Sequence, residues 1–394
     1  MKRLTLLSFV WVCLPVFIAG TSWSAEAPDP ARVDQQSTDE KSVAADARRK
    51  EIPLGGDFQP NPKTPVITAV AHGMRIVLSR DDGKTWKQVF FGHPSGDHSP
   101  WATFDMAYTD GVFVGFGGWG AAGRGSFIAS EDGVNWRHLT GKDRTGRYDP
   151  RGMEDAFGGA AGNGTIMAVG GGFQITRDFG KTWERFTTTQ LDPPIRSAHL
   201  KALFCNDDGD EGGRFVVVGD GPQAFISRDN AKTWTVSRMK PDAATDKRGL
   251  YRDMAYGNGI LLVADDQGLL VHRSADRGQT WTSHEHGAVQ PTASFSSLSY
   301  VKGEFWLTGK QSRASQDGIT WRNLPESTPQ GKVIVTDRGT LISVHRNRPE
   351  ILRSSDGKTW ETVHSLTEEE MRVPGGRQGF VRAQFGYVNA MPAK

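Results

Sequence analysis

Nine side chains stand out for the chemistry they could do together. Arg151, Arg196 and Arg248 carry the forked donors that clasp a carboxylate or a sulfate, and Trp101 and Trp119 offer faces that can stack on a sugar ring. His98, Tyr148, His199 and Tyr251 are the acid–base candidates, because elimination from a uronate needs a neutralised carboxylate beside a His or Tyr base. Hydrolysis would instead need two carboxylates at a set separation, for which Asp149, Glu154 and Asp246 are present. Taken singly, each His or Tyr is an ordinary loop residue, and the aromatic rings serve equally well for packing between loops. Their concentration in a few loops is what points to a binding face.

Loops need a scaffold, and the chain writes one out seven times. The phrase is Ser79-Arg-Asp81-Asp-Gly83-Lys-Thr-Trp86, and it returns to end at Trp136, Trp183, Trp234, Trp281, Trp321 and Trp360. Successive tryptophans are 50, 47, 51, 47, 40 and 39 residues apart, a period that belongs to propellers and related arrays. In each copy Ser and Asp can bond backbone N–H groups and hold a turn, Gly allows a left-handed backbone, and Trp can fill a seam. Ala231 replaces the glycine in one copy, so a strained or differently shaped turn is expected there. The copies opening at Ser130, Ser315 and Ser354 are one residue shorter.

The phrase resembles the Asp-box, Ser-x-Asp-x-Gly-x-Thr-Trp, of the BNR-repeat, sialidase-like β-propeller superfamily. The resemblance implies an all-β, seven-bladed propeller with four antiparallel strands per blade. Blade 5 shows the unit clearly: Asp253–Tyr256, a Gly257-Asn258-Gly259 turn, Ile260–Val263, Leu269–Arg273, the phrase, then Trp281–Ser283. Only Val66–Val70 and Arg75–Leu78 read as strands before the first phrase, so blade 1 lacks one. The C-terminal Phe385-Gly-Tyr387-Val-Asn389-Ala390 matches Met254–Gly259 in phase, and is expected to close the ring as the innermost strand of blade 1.

In such a blade the 1–2 and 3–4 turns share one face, and the 2–3 and 4–1 loops share the other, around the central channel. All nine candidates fall in loops assigned to this second face. Repetition sorts the aromatics the same way. Tyr108, Tyr256, Tyr300 and Tyr387 recur at one strand position and read as packing, leaving Tyr148 and Tyr251; the phrases, the leader and Trp306 account for every Trp except Trp101 and Trp119.

The superfamily's sialidases depend on an Arg-Ile-Pro motif that this chain lacks, Glu51-Ile52-Pro53 having the wrong first residue. Authentic sialidase activity is therefore not expected. The first expectation is recognition of a glycan, with anionic polysaccharides among the candidates and hydrolase or lyase activity open. The alternative is a non-enzymatic scaffold for an extracytoplasmic protein partner, as the fold's resemblance to photosystem assembly factors implies.

Bulk features bound the rest. Met1–Ala25, with Lys2-Arg3, an apolar run and Ser22-Trp-Ser24-Ala25, reads as a signal peptide for a secreted or periplasmic protein. Residues 26–63 read as a flexible linker and 64–394 as the propeller. No other run is long enough to cross a membrane, and removing Lys2 and Arg3 takes the net charge from +2 to 0, so neither membrane insertion nor nucleic acid is expected. Cys205 alone remains after the leader, so no internal disulfide can form. No cofactor is expected. The acidic stretch Asn206–Glu211 and the pair His284-x-His286 fall short of a metal site. The protein is expected to be a monomer.

Overall fold

A computed structural model describes residues 62–91, 102–118, 126–139, 156–170, 172–187, 200–206, 213–219, 221–239, 251–265, 270–287, 297–373 and 376–389. These form seven four-stranded antiparallel sheets and one small hairpin. The strands are short and rich in β-branched and aromatic residues. Several 1–2 turns place two consecutive residues in left-handed backbone, Asp110-Gly111, Asn163-Gly164, Asn258-Gly259 and Lys302-Gly303, which matches the twist of a two-residue hairpin.

The inner strands of blades 2 to 7 are Ala102–Thr109, Ala156–Gly162, Lys201–Cys205, Tyr251–Gly257, Ser297–Val301 and Lys332–Val335. Blade 1 takes its inner strand from the other end of the chain: Phe380–Asn389 pairs antiparallel with Pro62–Ala71, from Asn389 opposite Pro62 to Phe380 opposite Ala71. The spare strand thus supplies the missing one, and blade 1 reaches four strands like the other six. Gly386 makes the closure tight, since a Cβ there would fall 2.5 Å from the Tyr108 ring of blade 2.

The core lies in the seams. Seven apolar clusters each join two neighbouring blades, and each repeated Trp packs on the cluster its blade shares with the preceding one, as Trp183 does against Phe127 at 5.6 Å between ring centres.

The repeated turns match the roles read for their residues. In blade 1, Ser79 donates to Asp81 (2.9 Å) and accepts from Gly83 N–H (2.9 Å), while Asp81 accepts from the Thr85 N–H (2.9 Å) and hydroxyl (2.7 Å). The longer turns hold two left-handed residues in succession, such as Asp82 and Gly83, and the shorter ones hold a single left-handed glycine, Gly133, Gly318 or Gly357. The extra residue is therefore absorbed by one more left-handed step. At Ala231 the turn is strained rather than differently shaped: the residue holds φ +61°, a left-handed backbone costly for a side chain, and its N–H donates to Ser227 at 2.9 Å as the glycines do.

Tyr387 corrects another. Its register partner is Pro65, and it is Phe385 that stands opposite Ile67, equivalent to Tyr108, Tyr256 and Tyr300 in their ladders. Tyr387 lies two residues further along, where its hydroxyl reaches Asp337 of blade 7 (2.9 Å). Tyr108 does pack as expected, its hydroxyl donating to the Tyr387 carbonyl (2.7 Å).

Candidate functional site

His98, Trp101, Trp119, Tyr148, Arg151, Arg196, His199 and Arg248 lie outside the described residues. Tyr251 is described for its backbone alone: it opens the inner strand of blade 5, opposite Asp265, rather than lying in the loop before it. The described residues carry a second set of polar groups, at the ends of the inner strands.

One position recurs at the 4–1 end of every inner strand. It faces the second-strand residue three beyond the one paired with the Ser or Thr that opens each repeated turn. From blade 1 to blade 7 it is occupied by Arg382, Asp105, Gly158, Lys201, Asp253, Ser297 and Lys332. Around the ring the formal charges run plus, minus, none, plus, minus, none, plus. In blades 1, 2, 3 and 5 a register shift skips the residue just before this position, a bulge that re-aims the side chain following it.

The charges engage one another across blades. Arg382 Nε donates to Asp105 Oδ1 at 2.6 Å, and the same oxygen accepts the Met106 N–H at 2.9 Å. Lys332 Nζ donates to both oxygens of Asp253 (2.8 and 2.9 Å) and to the Leu298 carbonyl, while Asp253 Oδ2 accepts the Leu298 N–H at 2.8 Å. Lys201 Nζ donates to the Phe157 carbonyl at 2.8 Å. Arg346, on the 2–3 loop of blade 7, reaches over blade 1 to the Thr103 carbonyl of blade 2 at 3.3 Å.

Burial pulls the Asp105 carboxyl up, but Arg382, Lys201 and the Met106 N–H outweigh it and hold the group below its usual value. Burial lowers Lys201, with Asp105 opposing and Arg346 and Arg382 reinforcing the drop; Lys332 is lowered in the same way against Asp253. The four cations Lys201, Lys332, Arg346 and Arg382 face two carboxylates, so among the described residues the channel neck carries an excess of two positive charges.

Sequence reasoning missed this ring because it looked to the loops. The signal was present: Asp105-Met-Ala-Tyr108 and Asp253-Met-Ala-Tyr256 repeat a charge at the first position of an otherwise apolar strand. Glu370, by contrast, belongs to structure. It closes a capping box with Thr367 on the single-turn helix Glu368–Met371 and pairs with Arg75 at 3.0 Å. On the opposite face a groove of about 480 Å³ lies between blades 4 and 5, but Arg228, Asp229 and Ser237 there are engaged in turn and blade-to-blade bonds. Among the described residues no group of three or more His, Cys, Asp or Glu could hold a metal ion, and no helix is long and apolar enough to cross a membrane.

No protein-family model matches the chain, and no curated protein matches it in sequence. Solved structures share its fold. YCF48 from Cyanidioschyzon merolae is 15% identical, with 72% of this chain and 90% of that one covered and a TM-score of 0.51. A catalytically inactive virginiamycin B lyase from Staphylococcus aureus, with quinupristin, is 10% identical over 68% of this chain and 86% of that one, at a TM-score of 0.51. YCF48 bound to D1 peptide is 15% identical over 85% and 98%, at a TM-score of 0.46. At these identities the likeness is one of fold.

Proposed function

We propose that the protein is an exported Asp-box propeller that binds an acidic glycan on its channel-side loop face. The excess of two positive charges among the described residues at the neck supports this reading, because cations at the channel end of a chain whose loop sequences are rich in Arg, Trp and Tyr suit an anionic sugar. Arg151, Arg196 and Arg248 would take carboxylates or sulfates at the rim, and Trp101 and Trp119 would stack on rings. Met1–Ala25 supports export, which puts the protein where polysaccharides are met.

The test is a screen of the purified chain on acidic and neutral polysaccharides, read by binding, by release of reducing ends and by absorbance of unsaturated uronates. Binding of acidic members alone, weakened by Arg151→Ala and Arg248→Ala, is expected. Turnover lost in His98→Ala or Tyr251→Phe with affinity kept would assign a lyase or hydrolase. Retention of a protein partner with no glycan binding would replace this reading with that of a scaffold.

A further inference from the structure

We propose that Asn258 is a site of spontaneous covalent modification, at which the Gly259 backbone nitrogen closes on the Asn258 side chain and expels ammonia, and that Asp110 spares the same pair at Asn163. Asn-Gly occurs twice in the chain, at 163–164 and 258–259, each time after a glycine. Each pair is the two-residue turn between the first and second strands of its blade. Both residues are left-handed, at φ +48° and +68° in blade 3 and +50° and +73° in blade 5. Sequence and backbone are alike, so a difference in reactivity must come from the surroundings.

In blade 3 the Gly164 N–H is held by blade 2. It donates to Asp110 Oδ2 and to Thr109 Oγ1 (3.1 Å), and the Thr109 hydroxyl in turn donates to the same Asp110 oxygen at 2.8 Å. In blade 5 Asn258 and Gly259 are exposed. Among the described residues no group bonds the Asn258 side chain or the Gly259 N–H, and a Cβ on Gly259 would meet nothing within 4 Å.

The reaction needs a glycine nitrogen free to lose its proton and move. The N–Cγ bond forms, the Cγ–Nδ2 bond breaks, and water carries the proton from the glycine nitrogen to the leaving ammonia. A second water then opens the cyclic imide at either carbonyl, giving aspartate or, with the backbone rerouted through Cβ, isoaspartate. Either product carries a new negative charge. Isoaspartate also lengthens a turn whose two-residue span sets the pairing of Gly257 with Ile260. At Gly164 the same step would leave a negative nitrogen against the Asp110 carboxylate, and two bonds would have to break before the nitrogen could move.

The experiment ages the full chain in mildly alkaline buffer, folded and in denaturant, and maps its peptides by mass and isoaspartate content. In denaturant, positions 163 and 258 are expected to convert at similar rates. In the folded chain, position 258 is expected to convert at least about tenfold faster than 163, in keeping with one charge-assisted bond that must first break at Gly164. Asp110→Gly, which keeps a residue suited to left-handed backbone, is expected to raise conversion at 163 toward that at 258. Equal rates at the two positions in the folded chain overturn the proposal, as does a folded chain intact at 258 while both positions convert in denaturant. A folded Asp110→Gly in which 163 stays slow overturns the protection by Asp110. The comparison within the wild-type chain decides the site at Asn258 even if Asp110→Gly fails to fold.

Discussion

Ala231 shows how little the repeated turn depends on glycine as such and how much it depends on a left-handed backbone. It holds φ +61° with a fully buried methyl group, so its neighbours have made room. Gly318 has no such room: at φ +74° an added Cβ would lie 2.6 Å from Leu262 Cδ2 of the preceding blade. Gly318→Ala is therefore expected to cost about 1–2 kcal/mol of backbone strain plus the displacement of Leu262, read as a lower melting temperature. At the channel neck, Lys332→Met removes the cation that satisfies both oxygens of Asp253. A loss of about 3 kcal/mol is expected, because a mostly buried carboxylate is left uncompensated. Adding Asp253→Asn should recover part of it; a double variant as unstable as the single would show that the pair is not the cause.

At the level of elements, the ring is held by strand pairing at one place and by side chains everywhere else. Deleting 380–394 removes the inner strand of blade 1 and leaves Pro62–Ala71 unpaired on that side. Aggregation or a large drop in melting temperature is expected, measured by size-exclusion chromatography and thermal unfolding; a monomer with unchanged melting would contradict the closure. On the opposite face arginines tie blade to blade. Arg177 reaches the Asn230 carbonyl (2.9 Å) and Arg353 the Asp82 carbonyl (3.0 Å), each in the repeated turn of the next blade. Arg353 bridges blade 7 to blade 1 beside the closure, and also pairs with Glu361 at 3.0 Å. Arg353→Ala is expected to cost about 1–2 kcal/mol by denaturant unfolding.

Across the whole molecule the seven repeated turns share one electrostatic habit. Asp81, Asp132, Asp178, Asp229, Asp276, Asp317 and Asp356 all titrate below the ordinary value of 3.8, Asp356 at about 2. For Asp317 and Asp356 a backbone N–H bond is the leading cause. For the others burial works against the shift, and bonds from neighbouring hydroxyl, amide and backbone N–H groups outweigh it. A carboxyl whose folded value is depressed adds stability above its unfolded value and loses it as the pH falls through the folded one. The melting temperature should therefore hold level from pH 7 to about 4.5 and fall steeply between about pH 4 and pH 2. A level profile down to pH 2.5 would contradict the shared role of these turns.

By itself the chain announced its architecture. A turn motif is local chemistry: Ser, Asp, a left-handed residue and Trp within eight positions specify the same geometry wherever they occur, and seven copies at a near-constant period leave a propeller as the outcome. Even the closure was legible, as a strand too few at one end and a strand too many at the other. Register was not: a two-residue offset placed Phe385 where Tyr387 was expected, because the inner strand of blade 1 is ten residues long and its phase is set by pairing with Pro62–Ala71. The charged neck was not legible either. Arg382, Asp105, Lys201, Asp253 and Lys332 are scattered over nearly the whole repeat region, and only the closed ring, with a bulge just before Arg382, Asp105 and Asp253, brings them together at one end of the inner strands. Long-range electrostatics of this kind has no local signature, so tertiary structure alone decided which polar residues face the channel together.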